Sequence, residues 1–197
     1  MDTRGVTQAK SRLARAGKAI ADMKSAVTLD DTEDAWTDFL VAMSTIYSKL
    51  EQSAKGNAKS EEWFARKKGE RRNDPLLKYL HAARNSNEHG IERVVESTGP
   101  NQDLYGNKLN VNERLPVNFE ELDPTTLLPA GLSGTGVLAG PTLRPIRAHD
   151  RRFNAFCDPP TMHLGKEIEF ANFADALAEA AMPYLRLLVA DAEALVP

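Results

Sequence analysis

The residues of this 197-residue chain that are best suited to chemistry lie in the polar stretch 84–89, whose sequence is RNSNEH. An arginine such as Arg84 binds a phosphate through two parallel hydrogen bonds, and a histidine such as His89 transfers protons near neutral pH. Asn85, Ser86 and Asn87 are mediocre helix formers in a segment that otherwise has a helical pattern. Because such breaks in a regular helix often mark functional sites, we interpret the stretch as the candidate site.

The pattern of Arg84 and Asn85 followed by His89 resembles the signature of the HEPN domain family, in which an arginine and a small polar residue stand a few residues before a histidine. Members of this family are α-helical bundles. Many are metal-independent endoribonucleases that work as homodimers, and others bind RNA or nucleotides without cleaving them. The resemblance covers 6–96 and the last helix. It implies RNA as the target, a toxin or phage-defence role, and an antitoxin or regulatory protein as a partner.

The resemblance also implies a mechanism, in which the ribose 2′-hydroxyl attacks the adjacent phosphate and leaves a 2′,3′-cyclic phosphate and a 5′-hydroxyl. His89 would be the base or acid, Arg84 would stabilise the phosphorane charge, and Asn85 would orient the phosphate or the imidazole. This chemistry needs no metal, and we expect no cofactor. Some toxins of the family carry a tyrosine two residues after the histidine, but Ile91 occupies that position here, which argues against regulation through that tyrosine.

Helical geometry sets a condition on this site. Five positions along a straight α-helix turn by about 140°, so Arg84 and His89 point to different faces. Arg84 instead shares a face with His81 and Glu88, and Asn85 shares one with His89. We therefore expect a two-fold homodimer to bring both groups into one cleft, or a bend of the helix near Gly90.

A run of basic residues at 66–72 is the second candidate feature, because the chain as a whole has a net charge of −3 and no overall basic character. An acidic chain that binds RNA needs a local basic patch of this kind. A solvated helix end is the competing interpretation. The predicted RNA contacts are Arg66, Lys67, Arg71, Arg72, His81 and Glu88.

Weaker candidates lie elsewhere in the chain. Arg144 and His149 repeat the arginine–histidine spacing, but they lie in a predicted strand rather than a helix. His163 follows two prolines and is either a site residue or a turn residue. Cys157 lacks a basic neighbour close in sequence, so we interpret it as a small buried hydrophobic residue.

Two non-enzymatic alternatives remain open. In the first, the bundle binds RNA, a nucleotide or a protein without cleaving anything. In the second, the stretch 84–89 is the polar flank of a structural helix. The single cysteine and the absence of a long apolar run favour a reduced, cytoplasmic setting without a membrane span.

Apolar spacing predicts a mainly α fold, an antiparallel helical bundle that forms a single domain over 1–197. Residues 6–96 and 172–196 form the predicted bundle. The predicted helices are 6–28, one capped by Asp31 or Thr32, one capped by Ser60, one beginning at Asp74-Pro75, and a last one from Asn172 that Pro183 kinks.

Residues 97–171 are predicted to be an insertion between the helices. The segment 97–140 is rich in glycine, proline and asparagine and has no sustained periodicity, so we expect it to be irregular. After it, 142–148 and 153–157 are predicted to pair as a small β-hairpin.

Overall fold

The computed structural model describes residues 1–89, 93–118, 135–150 and 154–197, without the side chains of Glu88 and His89. Over these ranges the protein is mainly α-helical, which confirms the predicted class. The helices described are α1 (Thr3–Ser25), α2 (Leu29–Ala54), α3 (Ala58–Asn73), α4 (Pro75–His89) and α5 (Ala174–Glu193).

Helix α2 is the centre of the core, since it contacts each of the other four helices. Most of its apolar residues recur every three or four positions and are buried, with Trp36, Phe39 and Leu40 fully inaccessible to solvent. The helix begins at Leu29, two residues before the predicted cap. Thr28 is the N-cap, and its side chain accepts a hydrogen bond from the Asp31 amide while the Asp31 carboxylate accepts one from the Thr28 amide.

Helices α3 and α4 follow each other around a single buried aspartate. Asn57 rather than Ser60 caps α3, because its side-chain oxygen accepts a hydrogen bond from the Ser60 amide at 3.0 Å. Asp74 caps α4 as predicted, and its Oδ1 accepts a hydrogen bond from the Leu77 amide at 2.9 Å. Pro75 is the first residue of α4, where its missing N–H costs nothing.

The predicted extension of the helical region to residue 96 is wrong. Helix α4 ends at His89, and Val94 lies in a bend before strand β1 (Val95–Thr98). The β-branched residues Val94 and Val95 favour extended backbone. Tyr79 of α4 secures this segment, since its hydroxyl donates a hydrogen bond to the Ile146 carbonyl at 2.8 Å.

The insertion contains more regular structure than predicted. Strand β1 pairs antiparallel with β4 (Thr142–Pro145), and β2 (Arg114–Asn118) pairs with β3 (Thr135–Ala139). The prediction of an irregular 97–140 is therefore wrong for the described residues of these strands. The pairing was hidden in the sequence because the partners of β1 lie far along the chain.

The predicted hairpin is correct only in its inner half. Strand β5 (Ala148–Asp150) pairs with β6 (Ala155–Cys157), whereas 142–145 pairs with β1 instead. A further two-residue pair, β7 (Met162–His163) with β8 (Lys166–Glu167), follows. Strands β5 and β6 both contact α4, so this hairpin forms one wall of the site described below.

Helix α5 begins at Ala174, close to the predicted start, and Pro183 lies inside it. Its first turn is held by the insertion: Arg114 donates hydrogen bonds to both carboxylate oxygens of Asp175, at 2.5 and 2.7 Å. Asn112 makes a second anchor, donating a hydrogen bond to the Met23 carbonyl in the last turn of α1 at 2.7 Å. Across the described ranges, no helix is long and apolar enough to cross a membrane.

Candidate functional site

A cleft of about 1030 Å³ opens between α2, α3, α4 and the β5–β6 hairpin. Helix α4 forms its floor with residues spaced three or four apart, so that they share one face of the helix. The lining residues of α4 are Lys78, His81, Ala82, Arg84 and Asn85.

The cleft is basic although the chain is acidic. Among the residues that the structure describes, five basic side chains line it, against the acidic side chains of Glu51 and Asp150. Glu51 is already paired with a lysine of α3, at 2.8 Å from Lys68 Nζ. The local patch that an acidic chain needs for an anionic ligand is therefore present. The basic residues are Lys68, Arg71, Arg72, Lys78 and Arg84.

Arg84 and Asn85, two of the three predicted catalytic residues, both line the cleft and touch each other. Arg84 Nη1 donates a hydrogen bond to Asn85 Oδ1 at 3.3 Å. Asn85 Nδ2 lies 3.5 Å from His81 Nε2, one turn earlier. The structure thus brings a guanidinium, an amide and an imidazole together on a single face of α4.

The third predicted catalytic residue, His89, has a side chain that lies outside the described part of the structure, as does that of Glu88. The described backbone of α4 includes His89. The predicted contribution of these two side chains to the site stays a prediction.

Ser86 and Asn87, which made the stretch unusual for a helix, have structural roles. Ser86 is buried, with 2% of its surface exposed. Asn87 Nδ2 donates a hydrogen bond to Thr37 Oγ1 of α2 at 3.0 Å, which explains a polar residue on the buried stripe. Part of the signal that suggested function therefore comes from packing between α4 and α2.

The predicted basic run divides into two groups. Arg71 and Arg72 line the cleft, and the Arg71 guanidinium carbon lies 4.6 Å from the centre of the Tyr47 ring. Burial lowers the pKa of Arg71. That guanidinium is thus held in place against an aromatic ring before any ligand arrives.

Arg66 and Lys67 belong to the second group and do not line the cleft. Arg66 pairs with Glu62 on an exposed part of α3. Lys67, with 17% of its side chain exposed, lies between Glu70 and Asp191 and joins α3 to α5. The predicted contact of both residues with RNA stays a prediction.

Lys68 and Lys78 line the cleft, and sequence analysis missed them as site residues. Lys78, His81 and Asn85 follow the spacing i, i+3, i+7, so a polar stripe on α4 was available as a signal. Lys68 belonged to the basic run, but charge density alone does not tell which members of a run share a helix face.

The weaker candidates occupy other places. His163 lies in a salt bridge with Asp74, with Nδ1 and Oδ1 2.9 Å apart. Cys157 is a buried residue of the cleft wall, and burial raises the pKa of its thiol, in agreement with the small hydrophobic residue we expected. Arg144 pairs with Glu96, and His149 stacks on Phe156, so they do not form one site.

The described residues contain no group of three or more histidine, cysteine or acidic side chains that could hold a metal ion. No protein-family model, curated protein or solved structure matches the chain.

Proposed function

We propose that this protein binds RNA in the basic cleft and cleaves it as a HEPN-like, metal-independent endoribonuclease. The observation that carries the proposal is the placement of Arg84 and Asn85 in the same cleft as four further basic side chains. A polyanion gains most of its affinity from such cations, and a phosphate at Arg84 would lie beside the polar groups of α4.

The size of the cleft supports this proposal. Its volume of about 1030 Å³ is at the upper end of the usual range for small-molecule pockets, so it has room for a nucleotide unit. The rings of Tyr47 and Phe64 in its walls are buried, so RNA would be held here through its phosphates rather than by stacking of bases.

The proposed roles follow the resemblance. Arg84 stabilises the charge that develops on the phosphorane, Asn85 orients the phosphate or an imidazole, and His89 transfers a proton. The products are a 2′,3′-cyclic phosphate and a 5′-hydroxyl. A toxin or phage-defence role, with an antitoxin or regulatory protein as partner, belongs to the same proposal.

The test is cleavage of single-stranded RNA in the presence of EDTA. We expect Arg84→Ala and His89→Ala each to lower the cleavage rate by about 100-fold or more, because each removes a group that acts in the transition state. Arg66→Ala is the matched control, since it removes an arginine outside the cleft and should leave the rate unchanged. Wild-type cleavage by both Arg84→Ala and His89→Ala would refute the nuclease proposal.

A binding module without catalysis is the second candidate, because the cations of the cleft would hold RNA whether or not a proton is transferred. In that case the wild-type protein shifts RNA in an electrophoretic assay and leaves it intact, and Arg84→Ala weakens the shift.

The proposed homodimer has its own test. If the site combines Arg84 of one subunit with His89 of the other, a mixture of Arg84→Ala and His89→Ala proteins regains cleavage that neither has alone. A dimer by sedimentation whose mixed variants stay inactive would show that each subunit has its own complete site.

A further inference from the structure

We infer that His81, rather than only the histidine of the family-like pattern, is a proton-transfer residue of this cleft. This inference rests on the proposed RNA cleavage and names a second catalytic histidine for it. His81 lines the cleft floor together with Arg84 and Asn85. It stands three and four positions before them, the spacing that places side chains on one helix face.

The orientation of the imidazole suits this role. Its Nδ1 is buried, so a ligand in the cleft meets the imidazole through Nε2. Nε2 lies 3.5 Å from Asn85 Nδ2, whose other amide atom, Oδ1, accepts a hydrogen bond from Arg84. The side chain that contacts the proposed phosphate ligand is thus linked to the imidazole through one amide, which keeps the two groups at a fixed separation.

The charges around His81 favour a phosphate beside it. On α4, Lys78 precedes it and Arg84 follows it, each about one turn away. Across the cleft, α3 contributes Arg71 and Lys68. A phosphodiester that neutralises these cations would lie within the reach of Nε2, with its 2′-hydroxyl available to a base.

The remaining titratable groups of the cleft are few. Helix α2 contributes Tyr47, whose pKa burial raises to about 12, and Glu51, which is paired with Lys68. The hairpin contributes Asp150 and the Cys157 thiol, whose pKa is also raised by burial. Tyr47 and Cys157 therefore stay protonated near neutral pH, and among the described residues that line the cleft His81 is the one with an imidazole, the side chain suited to proton transfer there.

In the reaction, the 2′-hydroxyl takes the place of Asn85 Nδ2 at His81 Nε2, and neutral His81 accepts its proton there while the 2′-oxygen forms a bond to phosphorus. The bond between phosphorus and the 5′-oxygen breaks, and the departing oxygen takes a proton from a second acid or from water. The imidazolium later returns its proton to solvent, so atoms and charge balance without any oxidant or metal.

The experiment compares His81→Gln with His149→Gln. Glutamine keeps a polar side chain but cannot transfer a proton at neutral pH, and His149 is a histidine of the β5–β6 hairpin that does not line the cleft. We expect single-turnover cleavage of RNA to fall by about 100-fold or more in His81→Gln and to stay unchanged in the control. Affinity for a non-cleavable 2′-deoxy analogue should stay within about twofold, because the cations of the cleft remain.

A pH profile separates catalysis from a structural role. The cleavage rate of the wild-type protein should rise with pH as an imidazole loses its proton, and this rise should disappear in His81→Gln. If His81→Gln does not fold, the wild-type protein still gives a measurement. The His81 imidazole resonance should move when cytidine 3′-monophosphate is added, and a nucleotide that binds without moving it would overturn the inference.

Failure of the His81 role and failure of the proposed function give different results. Cleavage lost in Arg84→Ala but normal in His81→Gln overturns the role of His81 and leaves the proposed function standing. A wild-type protein that neither binds nor cleaves RNA overturns both.

Discussion

Asp74 shows how a single carboxylate holds together two parts of the chain that are far apart in sequence. Its Oδ1 accepts hydrogen bonds from the Leu77 amide and from His163 Nδ1, and its Oδ2 accepts one from the Leu164 amide at 2.7 Å. The first of these caps α4, and the other two fix the turn between β7 and β8. Because α4 forms the floor of the cleft, Asp74 positions the candidate site without touching it.

We expect Asp74→Ala to lower the free energy of unfolding by about 2 to 4 kcal/mol, because it removes a helix cap and hydrogen bonds to a buried charged group. Urea denaturation followed by circular dichroism measures the change. Asp2→Ala is the matched control, since Asp2 caps α1 at an exposed position. Its expected cost is about 0.5 to 1 kcal/mol, and equal costs at the two positions would contradict the argument.

The stabilisation by Asp74 depends on pH. Burial raises the pKa of Asp74, but the hydrogen bonds from the Leu164 and Leu77 amides and from His163 outweigh it, so the pKa in the folded protein lies below its ordinary value. A carboxylate of this kind stabilises the fold fully above its unfolded pKa of about 3.9, and the stabilisation is lost as pH falls through the lower folded pKa. The stability difference between wild type and Asp74→Ala should therefore narrow below about pH 4. A difference that stays constant from pH 7 to acid would show that the charge does not matter.

At the same scale, the sequence predicted Arg84, Asn85, Arg71, Arg72 and His81 as site residues, and the structure places all of them in one cleft. The sequence could predict these residues because only some side-chain types can bind a phosphate or transfer a proton. The sequence did not show that Arg66 and Lys67 lie outside the cleft, because this depends on which face of α3 packs against α5.

Among the elements, the amphipathic helices were predictable because their apolar periodicity is local. Helix α2 and the start of α4 at Pro75 follow from spacing and capping within a few residues. Strand β1 was missed because it pairs with residues far along the chain, as in the contact of Val95 with Pro145. A strand of four residues has no periodicity of its own that distinguishes it from a loop.

The first turn of α5 depends on one arginine of the insertion. Asp175 has 4% of its side chain exposed and is bound by Arg114, whose guanidinium also lies 4.5 Å from the centre of the Phe173 ring. We expect Arg114→Met to lower the free energy of unfolding by about 3 kcal/mol or more, because it leaves a buried charge without its partner.

Arg147→Met is the control for this pair, because Arg147 and Asp158 are both largely exposed, and we expect a change of less than about 1 kcal/mol. The double variant with Arg114→Met and Asp175→Asn should recover part of the loss, since the unpaired charge is then gone. Chemical denaturation of the wild type, Arg114→Met, Asp175→Asn, the double variant and Arg147→Met tests the pair, and a full additive loss in the double variant would count against it.

At the scale of the whole molecule, RNA binding depends more on where the charges lie than on the net charge. The chain carries a net charge of −3, but its basic cleft presents a local positive surface. Binding of single-stranded RNA should therefore weaken steeply with salt, by a slope of about 0.7 for each phosphate contact.

We expect Arg72→Gln and Lys78→Gln each to reduce this slope by about 0.7, because both side chains line the cleft and both residues are exposed. Arg66→Gln should leave the slope unchanged. Fluorescence anisotropy over a range of potassium chloride concentrations measures it. An equal loss in all three variants would mean that RNA follows the general surface rather than the cleft.

The pairing of β1 with β4 affects how well the chain tolerates insertions and deletions. Val95 and Pro145 are neighbours, so the segment between them begins and ends at one place, and it contacts the helices again through Asn112 and Arg114. The β5–β6 hairpin that walls the cleft lies beyond this junction. An insertion in this segment away from Asn112 and Arg114 would cost little, because closing a longer connection adds only a small entropy term. Related chains could therefore differ greatly in length here and still keep the same cleft.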